Sequence, residues 1–287
     1  MKRSTFYVVV SVIISAASLP VTSTLFAQFI WLDQMGDKAL AIEILKPTFA
    51  GNDDVTFLSS AIFISGRFAL REDLRLVAEL PFAHARVDVV VLDFINPQPI
   101  KESESETIIG NPYIGLELRK AGSPVFGELG VRIPITPDDK SIASAIGRFA
   151  DFDRMEAFAP DVFTVLGRIN FQSTSASHVR IRVRGGPTLL FNSEGFLEDD
   201  TELLLDYSAQ VGYVTQKVSV MGGLTGRLFA TQTEGDFGER SVHQLGASAT
   251  LISGQVQPGI HLRIPIDDDL DDILDFVFGL NLSVQLK

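Results

Sequence analysis

Hydrophobic and polar residues alternate with a period of two along most of this chain, and the stretch HVRIRVRGG shows the pattern without interruption. There Arg180, Arg182 and Arg184 interleave with Val179, Ile181 and Val183. Successive side chains of a β-strand point to opposite sides, so this pattern predicts strands whose two faces meet different surroundings. Segments of this kind, each about ten to thirteen residues long, recur along the chain, and a tilted strand needs that length to cross a bilayer. Twelve are legible: 39–49, 56–69, 74–83, 109–119, 125–135 and 162–172, then 179–191, 202–214, 218–230, 241–253, 256–266 and 276–286.

The connections alternate as well. Short polar turns such as KAGSP, STSAS and TQK are followed by longer acidic connections at 84–108, 136–161, 192–201, 231–240 and 267–275. Tight turns on one rim, long loops on the other and an even number of strands predict a closed antiparallel transmembrane β-barrel with both termini in the periplasm. In 73–82, Leu74, Leu76, Ala78, Leu80 and Phe82 share one face while Arg75, Val77 and Glu79 share the other. A soluble sandwich also buries an apolar face, so alternation alone fits both folds. Strand length, loop asymmetry and the leader described next select the all-β barrel, with lipid on the apolar side and a lumen on the polar one.

The first residues carry an address. MKRST is a short basic region, FYVVVSVIISAASLPV an apolar one broken by Ser11, Ser15, Ser18 and Pro20, and TSTLFAQ a small-residue end. This predicts a signal peptide over 1–27, cleaved after Ala27, and a barrel over 28–287 in the outer membrane of a Gram-negative bacterium. A formal charge of −12 argues against nucleic acid as a partner. The chain has no cysteine, which excludes disulfides, thiolate metal sites and cysteine nucleophiles.

The face opposite the apolar one carries the candidate chemistry. Its basic positions are Arg67, Arg75, Arg119, Arg132 and Arg168, followed by Arg180, Arg182, Arg184, Arg227 and Arg263. Its acidic positions are Glu43, Glu79, Glu117, Glu128 and Asp206. Arginine is in excess and lysine is absent there, which suits guanidinium forks holding carboxylates or solute oxygens at fixed angles. Folding about STSAS brings Arg168 beside Arg182 and Arg184, and folding about TQK sets Asp206 near Arg227 as a cross-strand ion pair. The remaining positive field predicts a lumen that favours small anionic or amphipathic solutes. The same charges fit an interior salt-bridge lattice that fills the barrel, and twelve strands permit either outcome.

Loop 136–161 has helix-compatible spacing at Ile142, Ile146, Phe149 and Met155. It is read either as an inward constriction or as an external loop. The acidic loops, with Asp53, Asp54, Glu102, Glu104, Glu106 and 198–200, suggest contact with lipopolysaccharide through bridging ions. IDDDLDDILD lacks the central glycine and closing glutamate of a calcium loop, so neither a metal nor any other cofactor is expected. His84, His178, His243 and His261 sit in no recognisable nucleophile or base motif, and a non-enzymatic barrel is expected. The alternatives are a structural or adhesive barrel without a pore, and a barrel lipid hydrolase, for which His84 is the best-placed candidate.

RFALREDLRLVAELPFAHA, taken with ETIIGNPYIGLELRKAGSPVFGELGVRIPIT, resembles the family of outer-membrane channels labelled for the meta-pathway of phenol degradation. The shared pattern is a leucine-alternating strand ending in Leu-Pro, a long loop, Gly-x-x-Tyr-x-Gly-Leu, and a strand ending in Pro. It covers 57–136. The resemblance implies a small-solute channel and leaves the solute unspecified.

Overall fold

The computed structural model describes residue 31 and residues 38–51, 55–57, 59–92, 99–192, 200–232 and 235–286. The expected signal peptide, Asp53, Asp54 and 198–199 lie outside the described residues. Among the described residues fourteen strand segments follow one another. They are β1 (Lys38–Phe49), β2 (Val55–Phe57), β3 (Ser60–Ala69), β4 (Leu74–Leu92), β5 (Pro99–Ile109), β6 (Tyr113–Leu118) and β7 (Val125–Arg132). The second half gives β8 (Val162–Thr174), β9 (Val179–Asn192), β10 (Thr201–Val214), β11 (Val218–Phe229), β12 (Ser241–Leu251), β13 (Val256–Pro265) and β14 (Leu274–Gln285).

Every pairing is antiparallel, and β1 pairs with β14 to close the sheet. Short β2 continues β3 against β4, and β5 with β6 forms one interrupted strand against β4, so the wall is a closed barrel of twelve strands. No described helix is long and apolar enough to cross a membrane, a statement that says nothing of strands.

Burial follows the alternation. Along β1, Leu40, Ile42 and Ile44 are exposed while Ala39, Ala41, Glu43 and Leu45 are buried. On β9, Arg180 and Arg182 are buried and Val179 is exposed. A water-soluble protein does the opposite with such residues, because transferring apolar surface out of water is the main favourable term in folding. The exposed aliphatic belt of Ile114, Leu116, Leu129, Ile169, Leu245 and Ile260 is the surface of a barrel that sits in hydrocarbon.

The structure corrects one connection. The described residues of 84–108 are not an irregular loop: β4 runs on to Leu92 and β5 begins at Pro99, with Ala85 opposite Glu106 and Leu92 opposite Pro99. The alternating Val87, Val89 and Val91 carry strand propensity beyond the segment read from the sequence, and Glu104 and Glu102 pair in register with Val87 and Val89. The connection at 267–275 likewise contains one helical turn over Asp268–Asp271.

The larger loop, between β7 and β8, folds inward. It contains helix α1 (Ser141–Ala150) and a 3-10 turn over Phe152–Phe158. Ala143, Ile146, Ala150, Ala157 and Phe158 form one cluster with Ala41, Leu45, Ala61, Phe63, Ala83, Ala85 and Ile108, which line the inside of β1, β3, β4 and β5. Small inner residues on those strands leave the volume that the helix fills, and close packing recovers dispersion contacts an empty lumen would lose. Gly147 allows the closest approach, since a Cβ there would lie 2.3 Å from the Phe158 ring. Buried Trp31 also lies inside the barrel, its ring 2.6 Å from where a Cβ on Gly246 would stand.

Candidate functional site

Charged residues wind around the inner wall in a register row. Arg75 faces Glu117, Glu117 faces Glu128, and Glu128 faces Arg168 across successive strands. Farther along, Asp206 faces Arg227. Because each position points inward and lies on a ladder, no side chain can leave the row without breaking strand pairing. Ion pairs tie the row together. Arg67 binds Glu117, Arg168 binds Asp206, and Arg227 binds the other oxygen of Asp206. Arg168 also donates to the Thr188 hydroxyl at 2.7 Å and to the Pro187 carbonyl at 2.9 Å. Glu117 and Glu128 are like charges placed face to face, and each is held by a cation from another strand, Arg67 for the first and Arg184, 3.9 Å away, for the second.

The plug docks on this wall through charge. Arg154, in the 3-10 turn, is its hub. Its guanidinium donates to Glu79 at 2.6 Å, to Asp151 at 2.7 Å and to Glu43, and it stands 3.7 Å from the centre of the Phe63 ring. Asp151 accepts from Arg263 at 2.8 Å, and Glu156 from Arg227 at 2.8 Å. Arg132 donates to Glu79 at 2.7 Å and stands 3.5 Å from Glu156. Five strands, β1, β4, β7, β11 and β13, thus hold one short segment. Between plug and wall remains a cavity of ≈ 20 Å³, lined among others by Arg132, Arg154, Arg168, Arg184 and Asp206. That is room for about one water molecule, so at this level the described residues fill the lumen.

Electrostatics of the plug differ at its two aspartates. Burial opposes charge on Asp151, but Arg154 and Arg263 overcome it and hold the carboxyl far below the usual range. Asp153 is pushed up, first by burial and then by Asp151. Arg154 is buried too, yet Asp151, Glu43 and Glu79 keep it firmly charged.

Asn111 anchors both ends of the plug. Its Nδ2 donates to the carbonyls of Glu156 at 3.0 Å and Ala159 at 2.6 Å, and its Oδ1 accepts from the amides of Ile135 at 2.8 Å and Thr136 at 2.9 Å. It can do so because residues 110–112 hold one residue more than the facing stretch of β4, between the pairs Phe82–Ile109 and Glu79–Tyr113. Such a bulge re-aims a side chain that would otherwise obey the alternation. Gly110 leaves space for the plug backbone, since a Cβ there would stand 2.3 Å from the Ala157 carbonyl oxygen. Tyr113 turns inward, lies over Gly115 and Gly130, and donates to Glu128. GNPYIG is therefore the motif that seats the plug.

The sequence-derived positions are found as follows. Arg67, Arg75, Glu79, Arg119, Arg132, Arg168, Arg180, Arg182, Arg227 and Arg263 are buried on the inner side, and Arg184 and Asp206 are nearly so. Arg168 lies next to Arg184, whose register partner is Asn170, while Arg182 faces Gln172 one step farther down. Sequence reasoning missed Asn111, Asp151, Arg154 and Glu156. The first is hidden by its bulge, and the others lie in a loop whose destination no periodicity reveals. It also missed an outward-facing cluster, in which His243 bonds Tyr207 at 2.5 Å and Asp267 at 2.9 Å and so ties the loop after β13 to the wall.

No family profile and no curated protein sequence matches the chain. Solved structures do. An outer-membrane channel from Pseudomonas putida F1 superposes with a TM-score of 0.55 at 9% identity, over 91% of this chain and 100% of that one. The fold is that of an outer-membrane β-barrel. The translocator domain of the autotransporter NalP from Neisseria meningitidis agrees, with a TM-score of 0.51 at 7% identity over 87% of this chain and 88% of its own. At such identities the likeness concerns the barrel's fold, and the contents of the lumen are this chain's own.

Proposed function

We propose that this barrel is an outer-membrane channel for small hydrophilic or amphipathic, preferentially anionic solutes, and not an enzyme. The observation that carries the proposal is the charge of the inner wall. The plug adds Asp151, Asp153 and Glu156 to the strand carboxylates, Glu202 among them, and arginines still outnumber acids among the buried inward residues described. Arg67, Arg75, Arg119, Arg132, Arg168, Arg180, Arg182, Arg184, Arg227 and Arg263 line the path, with Glu79 and Asp206 as internal counter-charges. A ring-like excess of fixed positive charge in a low-dielectric wall admits anions and repels cations. The Gly-x-x-Tyr-x-Gly-Leu pattern at 110–116 supports kinship with the channels labelled for the meta-pathway of phenol degradation, and the channel fold of the Pseudomonas putida structure is compatible with it.

On this reading residues 1–27 direct export, both termini face the periplasm, and the acidic outer loops meet lipopolysaccharide. Reversal potentials of the purified protein in a planar bilayer under a salt gradient test the proposal. Anion preference is expected, and cation preference in the intact channel refutes it.

A second reading has its own observation. Arg154, Arg132 and Arg227 with their carboxylates fill the lumen at the level of the plug, as in a structural barrel without conduction. Absence of any conductance would favour it.

A further inference from the structure

At the long-loop rim the wall carries an open strand edge. β6 is paired on both sides, with β4 and with β7, but β7 ends at Arg132, opposite Tyr113, and does not extend alongside β5. Among the described residues β5 pairs with β4 and with no other strand. Beyond β7 the chain leaves the wall for the plug. Ile135 and Thr136 donate to Asn111, and the amide of Ala143, in the first turn of α1, donates to Glu106 at 3.0 Å. The stretch that would have covered β5 as a further strand is the one that folds inward.

The ladder fixes which backbone groups face the opening. In an antiparallel pair the N–H and C=O of one residue point to the same side, and those of its chain neighbours to the other. The amide of Arg86 donates to Ser59, away from β5, whereas the carbonyl of Pro81 accepts from Gly110, toward it. Odd-numbered residues of β4 therefore bond β5, and their register partners there are Glu104, Glu106 and Ile108. The N–H and C=O of Ser105 and Thr107 point instead to the open side, and Glu104, Ser105 and Thr107 are all exposed. Strand groups aimed at water in this way are a template for one more strand.

The acids decide what kind of strand fits. Glu104 and Glu106 share one face of β5, and Glu106 reaches α1, so it is the face on the plug side. The stretch leading into α1 adds exposed Asp138 and Asp139 against one lysine, Lys140. A second copy of the chain added edge to edge would bring its own Glu104 and Glu106 against these, and like charges across a strand pair are destabilising. A strand with Lys or Arg at every second position sets cations beside the acids. We infer that the open edge of β5 is a docking site for an extended basic peptide segment, taken up by strand addition. The peptide backbone bonds Ser105 and Thr107, and its basic side chains lie on the face of Glu104 and Glu106. The site lies at the rim, apart from the arginine wall, and does not depend on conduction.

The test is titration of the folded, detergent-solubilised full chain into a short fluorescent peptide of alternating lysine and threonine, read by anisotropy. The same peptide N-methylated at every amide keeps its charge and loses every donor, and it is expected to bind about tenfold more weakly or worse, the effect of losing one to three net hydrogen bonds. Ser105→Pro removes an N–H on the open side and leaves the ladder with β4 intact, as proline at a strand edge can, and a similar loss is expected. Glu104→Gln is expected to weaken binding about two- to fivefold. An alternating glutamate and threonine peptide is expected not to bind. Equal affinity for the methylated peptide, or unchanged affinity in Ser105→Pro, means that charge alone attracts the peptide and overturns the inference. So does no binding of the basic peptide, or equal binding of the acidic one. Dimers in detergent that Ser105→Pro dissolves would assign the edge to a second copy and overturn it as well. The methylated peptide is compared on the unaltered protein, so the inference stays open to refutation even if the proline variant fails to fold.

Discussion

Replacing Asn111 with alanine should release the plug and leave the barrel standing. The side chain makes four hydrogen bonds, two donated to the carbonyls of Glu156 and Ala159 and two accepted from the amides of Ile135 and Thr136. At a net 0.5–1.5 kcal/mol each, their loss weakens docking by roughly 2–6 kcal/mol. No strand pairing involves the side chain, so the loss falls on the local opening of residues 135–159 and hardly on global unfolding. Hydrogen exchange followed by mass spectrometry reads this directly. Amides of 141–158 should exchange at least about thirtyfold faster in the variant, the lower bound of that range, while those of β8–β14 keep their protection. Asn111→Asp should be no milder, since it keeps the shape but turns the donors aimed at two carbonyls into an acceptor. Unchanged exchange across 141–158 would refute the assignment of Asn111 as the anchor. Equal acceleration in the strands would show that the plug and the wall are one cooperative unit.

Other expectations follow from the same geometry. Arg154→Met strands Glu43, Glu79 and Asp151 without their shared cation, and the cost should be about 3–5 kcal/mol or more, seen as a lowered heat-unfolding temperature on gels. Arg154→Lys should recover little, because one ammonium cannot reproduce the fork. Arg182→Gln should shift the reversal potential toward cations, and no shift would remove Arg182 from the selectivity wall. Gly130→Ala places a methyl 2.2 Å from the Tyr113 hydroxyl and should displace that ring from Glu128, visible as a changed tyrosine near-ultraviolet dichroism. Acidification from pH 7 to 5 should not loosen the plug. The depressed carboxyl of Asp151 contributes fully above its ordinary value and loses that contribution only as pH falls toward its lowered one. The raised carboxyl of Asp153 has the opposite sign and favours the docked state as pH falls. Faster exchange of 141–158 at pH 5, after correction for intrinsic rates, would contradict this.

Much of the barrel was legible because its signal is local. Where one face meets lipid and the other a polar interior, each strand repeats the same alternation, and the ends of β1, β9, β10 and β13 fall within a residue or two of those read from the sequence. The ion pair of Asp206 and Arg227 was legible for the same reason, since a tight turn fixes register. The hairpin of β4 and β5 was not, because its acidic residues carry the composition of a loop. The plug was half legible: the spacing of Ile142 and Ile146 marks a helix, but its position inside depends on Glu43 and Arg263, far away in the chain. Asn111 was invisible because its role comes from one extra residue in a ladder, and a bulge leaves no mark on hydrophobic periodicity.

The reach of Arg154 has a consequence for how the chain folds. Its partner Glu43 lies 111 residues earlier, on β1, and Arg263, which holds Asp151, lies 112 residues after that aspartate, on β13. Neither clamp has a full set of neighbours until the first and last strands meet. Insertion of 141–158 should therefore come late, after closure of the wall, and carries the cost of loop ordering. Until then the segment's acids and arginines stay hydrated, which keeps an unfinished cylinder open to water while it forms.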